Sequence, residues 1–171
     1  MRVLLSIALL ACVGCRLMGA ESNYGFSAND LNFGEFGLVL EEREGSRLQA
    51  VPFLLFGQGT LPEEYGENES FQRTSFGDKI RFPVRLADGR VIVYAEGGAM
   101  ISHYEAESIG TPWEIEIVIG VGTQIRFGKG WSIDLGARAR HPTGNGNDHK
   151  DPEHAPDGTQ GEFIVGIKKD F

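Results

Sequence analysis

The sequence predicts an all-β protein, an antiparallel up-and-down barrel of eight strands. Hydrophobic residues recur at every second position in segment after segment, whereas the spacing of an amphipathic helix is almost absent. Short turns separate these segments, for example Ala-Asp-Gly at 87–89 and Gly-Lys-Gly at 128–130. Regular antiparallel strands of this kind normally close into a barrel, because closure removes exposed sheet edges.

The first element along the chain is an expected export signal over residues 1–20, followed by a single β-barrel domain over 21–171. Met1-Arg2 precedes an apolar run from 3 to 13, and small residues lead up to Ala20. The run is too short to cross a bilayer as a helix. A lipidated Cys12, preceded by Leu-Leu-Ala, is the alternative. Cleavage after Ala20 would leave a mature chain without cysteines and therefore without disulfides.

Seven strands follow directly from the alternation. In the segment 113–127 the odd positions are apolar except for Thr123, whereas most even positions are charged or glycine. The seven predicted segments are 36–40, 47–56, 79–86, 90–101, 113–127, 131–140 and 163–171. An eighth strand is expected either in 70–76 or in 24–31.

Period-two alternation alone does not decide which face of the strands points into the barrel. Strands near eleven residues long match the ~9–11 that cross a bilayer at a tilt. Aromatic residues at strand ends resemble interfacial girdles, namely Tyr94, Trp113, Phe127 and Trp131. The polar faces carry charges of both signs, which suits a narrow lumen filled by ion pairs: Glu96, Glu114, Glu116, Asp134, Arg126, Arg138 and Arg140. We therefore expect an outer-membrane barrel with its apolar side chains facing lipid. A soluble lipocalin-like barrel with those side chains inside is the alternative.

Composition excludes several function classes. The formal charge is −8, and it becomes −10 once Arg2 and Arg16 leave with the signal. Such an acidic chain does not suit a nucleic-acid partner, which requires a basic patch. No zinc-ligand spacing, P-loop or dinucleotide fingerprint is present, so no cofactor or metal is expected. The acidic, glycine-rich stretch 145–161 is interpreted as a solvated surface loop.

The candidate site lies where the strand beginning at Trp131 ends. Its odd, apolar positions continue into His141 and Thr143, and residues two apart in a strand share a face. An imidazole and a hydroxyl would then lie side by side on the lipid-facing rim. A polar pair is unusual at such a place unless the substrate is itself a lipid. Chemically, the pair could serve as a base and a nucleophile.

Four motifs add a family resemblance over the C-terminal half. They are YAEGGAMI at 94–101, GTPWEIEIVIGVGTQIRF at 110–127, LGARARHPTGNG at 135–146 and FIVGIKKDF at 163–171. With them the chain resembles the lipid A 3-O-deacylases (acyloxyacyl hydrolases), eight-stranded outer-membrane barrels whose active site lies on the outer wall. The resemblance implies hydrolysis of an ester-linked acyl chain of lipid A, with lipopolysaccharide as substrate, no cofactor and a location in the bacterial outer membrane. A homodimer is left open.

The resemblance also implies roles for individual residues. His141 would be the general base, and Thr143 stands where the family has its serine nucleophile. The backbone amides that would hold the oxyanion belong to Gly144, Asn145 and Gly146.

The orienting acid of the family has no direct counterpart in this sequence. The aligned position holds Thr159 or Gln160, so only Asp157 or Glu162 could supply a carboxylate, each by a local shift. The threonine and the missing acid keep a second interpretation open, a barrel of this family that has lost the chemistry and has a structural or adhesive role.

Overall fold

The computed structural model describes residues 15–27, 32–42, 47–61, 69–107, 113–143 and 159–170. Every strand pairs antiparallel with its sequence neighbour, and the last pairs with the first, so the sheet closes into a barrel. The all-β, antiparallel, up-and-down architecture predicted from the alternation is confirmed. In the described residues no helix combines the length and the apolar character needed to cross a membrane. The strands are β1 Cys15–Ser27, β2 Asn32–Glu42, β3 Gln49–Thr60, β4 Ser70–Leu86, β5 Val91–Glu105, β6 Trp113–Phe127, β7 Trp131–Pro142 and β8 Gln160–Asp170.

The register of the ladders sets the tilt of the strands. A row of paired residues that leaves β7 at Ser132 runs once around the barrel and returns to β7 at Pro142, ten positions further along. Eight strands with this stagger tilt by roughly 40° and enclose an interior just wide enough to be filled by side chains. The row passes through Lys168, Gly19, Val39, Phe53, Gly77, Met100 and Glu116.

The two ends of the barrel differ in the lengths of their connections. Turns at 87–90 and 128–130 lie at one end, which we call the short-turn end. The connections of β3 to β4, β5 to β6 and β7 to β8 lie at the other, the long-loop end, and the last of them separates Pro142 from Gln160. Outer-membrane barrels have this asymmetry, with short turns on the periplasmic side and longer loops outside.

The apolar face of the strands points outward. On β6, Ile115, Ile119 and Val121 are 55%, 63% and 61% exposed, whereas the intervening Val118 and Glu116 are fully buried. The predicted outward direction of the apolar stripe is therefore confirmed. The soluble-barrel alternative required these isoleucines inside, and it is wrong.

The lumen holds two groups of ion pairs. Toward the long-loop end, Glu35 accepts hydrogen bonds from Arg73 at 2.7 Å and from Arg140 at 2.8 Å. Toward the short-turn end, Arg81 lies 2.8 Å from Glu96 and 3.1 Å from Asp134. All six side chains are buried, so each charge depends on its partners rather than on water. Apolar side chains also line the lumen, namely Val39, Val51, Phe53, Leu55, Met100 and Val118.

Two expectations about individual residues need correction. Tyr94 does not belong to an aromatic girdle, because it is buried in the lumen and its hydroxyl donates to Asp134 Oδ1 at 2.5 Å. Trp113, Phe127 and Trp131 do point outward at strand ends. The segment 70–76 is not a separate strand but the beginning of β4, which runs on to Leu86.

The strand β1 begins upstream of the expected signal boundary. It starts at Cys15 and pairs on one side with β2 and on the other with β8. Cleavage after Ala20 would remove residues 15–20 of this 13-residue strand. The signal boundary stays a prediction, and the ladder makes it directly testable.

Candidate functional site

His141 projects from the outer wall near the long-loop end. It lies opposite Ile117 on β6, and its side chain is exposed, as the odd parity of β7 predicts. Its Nδ1 lies 3.1 Å from the hydroxyl oxygen of Thr159, which stands just before β8. Thr159 therefore occupies the place beside the imidazole where the family resemblance puts an acid.

Thr143 follows the end of β7 and shares the outward face with His141. Its backbone N–H and its hydroxyl both donate to the carbonyl oxygen of Ile115, each at 2.8 Å. This double contact extends the β6–β7 ladder by one residue. It also means that the hydroxyl donates its hydrogen bond to a backbone carbonyl and not to the imidazole. The imidazole and the hydroxyl are thus on the same face, but their hydrogen bonds go to different partners.

The predicted acid Glu162 is not beside His141. Side chains alternate along β8, and Glu162 lies on its inward face, where it is buried. It bonds to Arg138 at 2.6 Å and lies 2.6 Å from Arg140. The expectation that Glu162 orients His141 is therefore corrected: it is part of the lumen network. Gln160 is also inward and accepts from Arg73 at 3.1 Å.

The other predicted site residues fall outside the described residues. They are Asp157 and the oxyanion positions Gly144, Asn145 and Gly146. Among the residues that the structure does describe, no group of His, Cys, Asp and Glu is arranged to hold a metal ion.

The sequence interpretation did not pair the second outward histidine at this end, His103, with an acid. Its ring packs against Trp113 at a tilt of 40° with centroids 4.5 Å apart, and its Nδ1 lies 3.6 Å from a carboxylate oxygen of Glu105. His103 and Glu105 are two residues apart in one strand and therefore share a face, so this contact could have been predicted from the sequence. An imidazole–carboxylate pair thus exists on the outer rim, but on β5 instead of β7.

The arrangement around His141 can support only part of an acyl-transfer site. A threonine hydroxyl oxygen can accept a hydrogen bond from Nδ1–H and leave Nε2 as a base, but it carries no charge to stabilise an imidazolium. Moving the Thr143 hydroxyl to the imidazole would break its bond to Ile115, at a cost of about 1 kcal/mol. The β-branch of threonine further limits its rotamers.

The closed antiparallel barrel, its apolar outer wall and its charged lumen define the architecture of outer-membrane β-barrel proteins. No protein-family model matches the chain, and no curated protein matches it in sequence.

Several solved outer-membrane barrels are similar in structure over nearly the whole chain. Neisserial surface protein A (NspA) gives a TM-score of 0.65 at 12% identity, covering 91% of this chain and 96% of that one. The outer membrane enzyme PagL gives 0.59 at 14% identity, covering 90% and 99%. Ail, the attachment invasion locus protein of Yersinia pestis, gives 0.55 at 13% identity, covering 91% and 95%. At these identities the likeness shows a shared fold, and it does not single out the enzyme among the barrels.

Proposed function

We propose that this chain is an integral barrel of the bacterial outer membrane that works at its outer wall and long-loop end, and not as a channel. The proposal rests on the opposite character of the two faces of the sheet: isoleucines and other apolar residues cover the outside, whereas buried ion pairs fill the lumen. Arg81 and Arg140, two of the largest lumen side chains, are at most 1% exposed. With the side chains of the described strands filling the interior in this way, we expect no continuous path for water or ions.

Reconstitution in planar bilayers tests this proposal. Insertion is checked first, by flotation of the protein with lipid vesicles and by the heat-dependent gel mobility that folded outer-membrane barrels display. The inserted protein is expected to give no stable conductance steps. A reproducible open-channel current would contradict the filled lumen, and failure to float with vesicles would contradict membrane insertion.

Within this class, we propose hydrolysis of an ester-linked acyl chain of lipid A as the specific activity. The supporting observation is the outward position of His141 and Thr143 at the long-loop end, the side that outer-membrane barrels turn to the lipopolysaccharide leaflet. Exposed Ile117 lies opposite His141, exposed Ile115 is hydrogen-bonded to Thr143, and exposed Phe163 lies opposite Ala137 further along the wall, so an acyl chain could lie along it.

The proposed reaction proceeds by acyl transfer. The Thr143 hydroxyl leaves the Ile115 carbonyl, gives its proton to Nε2 of His141 and attacks the ester carbonyl. The bond to the sugar oxygen breaks, and that oxygen takes the proton back from the imidazolium. Water then hydrolyses the acyl-threonine and releases the fatty acid. Backbone amides at 144–146 would hold the oxyanion. Without an orienting carboxylate, we expect turnover orders of magnitude below that of a complete triad.

A non-enzymatic barrel with a structural or adhesive role is the second candidate. The bond from Thr143 to Ile115 and the burial of Glu162 in the lumen favour it, because both withdraw groups that hydrolysis would use.

Mass spectrometry of lipid A separates the two candidates. Cells expressing the wild-type chain are compared with cells expressing His141→Asn, Thr143→Ser or the matched control His103→Asn, which alters an outward histidine of the same rim. An active site predicts loss of one acyl chain with wild type and His103→Asn, no loss with His141→Asn, and a faster reaction with Thr143→Ser, which removes the crowding methyl. Intact lipid A with both wild type and Thr143→Ser would reject the esterase and leave the non-enzymatic barrel.

A further inference from the structure

A basic cleft lies at the short-turn end, far along the barrel from His141. Its volume is about 580 Å³, and it is lined by the turn 128–130 together with Arg90, Arg126, Phe127, Trp131 and Ser132. The backbone N–H of Arg126 donates to the carbonyl of Arg90 at 2.8 Å, which ties the β4–β5 and β6–β7 turns together at this corner. The cleft is thus framed by two tight turns and not by a long loop.

The charge of this cleft is opposite to that of the chain. Arg90, Arg126 and Lys129 line it, and Lys169 reaches the same corner, where its Nζ donates to the carbonyl of Lys129 and lies 5.5 Å from the Trp131 ring centre. Among the described residues that line the cleft none is acidic. Asp88, in the adjacent turn, is the acid closest in sequence to Arg90. Four cations at one corner of a chain with net charge −8 favour an anionic ligand.

The backbone of the turn presents Lys129 at its tip. Lys129 has φ of 47° and Gly130 has φ of 78°, the pair of left-handed conformations of a type I′ hairpin turn. Asn or Gly usually occupies the first of these positions, because a Cβ atom there comes too close to the following carbonyl oxygen, a cost that glycine avoids and that asparagine offsets with a local hydrogen bond. Lys129 at the tip of this turn lines the same cleft as Arg90 and Arg126.

The cleft also has an apolar side that faces the bilayer. Phe127 and Trp131 are 46% and 40% exposed and stand at the strand ends, the level at which aromatic girdles meet lipid headgroups. Cations beside such a girdle suit a ligand with a phosphate above and hydrocarbon below.

We propose that this cleft binds the phosphate headgroup of an anionic phospholipid from the leaflet at the short-turn end, with its acyl chains on the wall beside Phe127 and Trp131. The inference rests on the proposed membrane insertion of the barrel. Arg90 and Lys129 would contact the phosphate, and the aromatic pair would fix the depth of the glycerol region.

Quenching of Trp131 fluorescence by brominated lipids tests the proposal. The chain has two tryptophans at opposite ends of the barrel, so Trp113→Phe leaves Trp131 as the reporter. The protein is refolded into phosphatidylcholine vesicles in which a small fraction of lipid is either brominated phosphatidylglycerol or brominated phosphatidylcholine. Phosphatidylglycerol should quench at a several-fold lower mole fraction. Arg90→Gln and Lys129→Gln should each reduce that preference by about five-fold. Arg85→Gln, an exposed cation at the same end that does not line the cleft, should leave it unchanged.

The outcomes separate the proposal from its premise. Equal quenching by both brominated lipids would overturn the headgroup site while supporting insertion, whereas no quenching by either would contradict insertion itself. An equal loss of preference in Arg85→Gln would show general surface attraction and also overturn the site. If inorganic phosphate abolishes the preference where sodium chloride of the same ionic strength does not, the cleft takes free phosphate and the lipid assignment is wrong.

Discussion

Replacing Asp134 by asparagine tests whether the lumen charges form a dry, interdependent network. The carboxylate is 1% exposed and accepts hydrogen bonds from Tyr94 at 2.5 Å, from Arg81 at 3.1 Å and from Lys168. The group at the short-turn end contains the cations Lys79, Arg81 and Lys168 and the carboxylates Glu96 and Asp134. Asp134→Asn would remove a carboxylate partner from both Arg81 and Lys168.

The expected loss of stability can be estimated from these contacts. Removing one partner of a buried ion pair costs about 3–5 kcal/mol, because it leaves an uncompensated charge. The asparagine oxygen still accepts one hydrogen bond, which recovers about 1 kcal/mol. We therefore expect Asp134→Asn to lower the free energy of unfolding by about 2–4 kcal/mol.

Urea-induced unfolding in phosphatidylcholine vesicles, followed by tryptophan fluorescence and gel mobility, measures this loss. Ser132→Ala is the matched control: Ser132 is also buried on the inward face of β7, but it accepts only a neutral hydrogen bond, from Gln124 at 2.9 Å. It should lose about 1 kcal/mol. An Asp134→Asn protein within about 0.5 kcal/mol of wild type would refute the reasoning, since only a hydrated lumen could absorb the change so easily.

Three further outcomes follow from the outer wall, the packing and β1. Ile119→Lys, at an outward position that is 63% exposed, should cost about 2–4 kcal/mol in bilayers, measured by the same unfolding assay; no loss would mean that the residue does not meet lipid. Gly122→Ala would place its Cβ 2.3 Å from the Tyr94 hydroxyl, so we expect a loss of about 1–3 kcal/mol and a shifted tyrosine, visible in its fluorescence. Because the segment 15–20 of β1 pairs with β2 and with β8, we expect the mature chain to keep it. An intact mass that corresponds to a chain starting at Glu21 would contradict this.

The orientation of the side chains was predictable because alternation along a strand is strict. Parity put His141 and Thr143 on the apolar face and Glu116 and Arg140 on the opposite one. The strand lengths, the aromatic strand ends and the mixed charges then predicted that the apolar face points outward, as the structure has it. The same rule, applied to β8, would have placed Glu162 in the lumen, since the apolar Phe163, Val165 and Ile167 of that strand point outward. The inward position of Glu162 could thus have been predicted from the sequence. The family resemblance suggested a catalytic acid near this position and led to the wrong assignment.

Strand bounds were harder to predict where the outer face loses its apolar pattern. The first half of β4 carries Gln72, Thr74 and Asp78 outward, so the alternation became recognisable only from Lys79. Asp78 is held by a hydrogen bond from the Val51 N–H at 3.0 Å, a contact from a neighbouring strand that composition does not reveal. The beginning of β1 was obscured because it overlaps the composition of a signal segment.

Hydrogen-bond partners across strands could not be predicted from one sequence. Thr143 bonds to a carbonyl 28 residues earlier and His141 to a hydroxyl 18 residues later, so both contacts depend on the register of the closed sheet. Register is fixed by the whole barrel and not by the local segment. The shared face of His141 and Thr143 was therefore predictable, but the hydrogen-bond partners of the two side chains were not.

A spin-label scan of β6 in phosphatidylcholine vesicles measures the lipid-facing wall most directly. Single cysteines are introduced at positions 115–121 in a chain whose Cys12 and Cys15 are replaced by serine. Each carries the label, and its collision with oxygen and with a water-soluble nickel chelate is measured. Labels at 115, 117, 119 and 121 are expected to collide strongly with oxygen and weakly with the chelate, whereas labels at 116, 118 and 120 should collide weakly with oxygen. The opposite parity, or strong collision with the chelate at 117 and 119, would contradict a barrel that turns its isoleucines and His141 toward lipid.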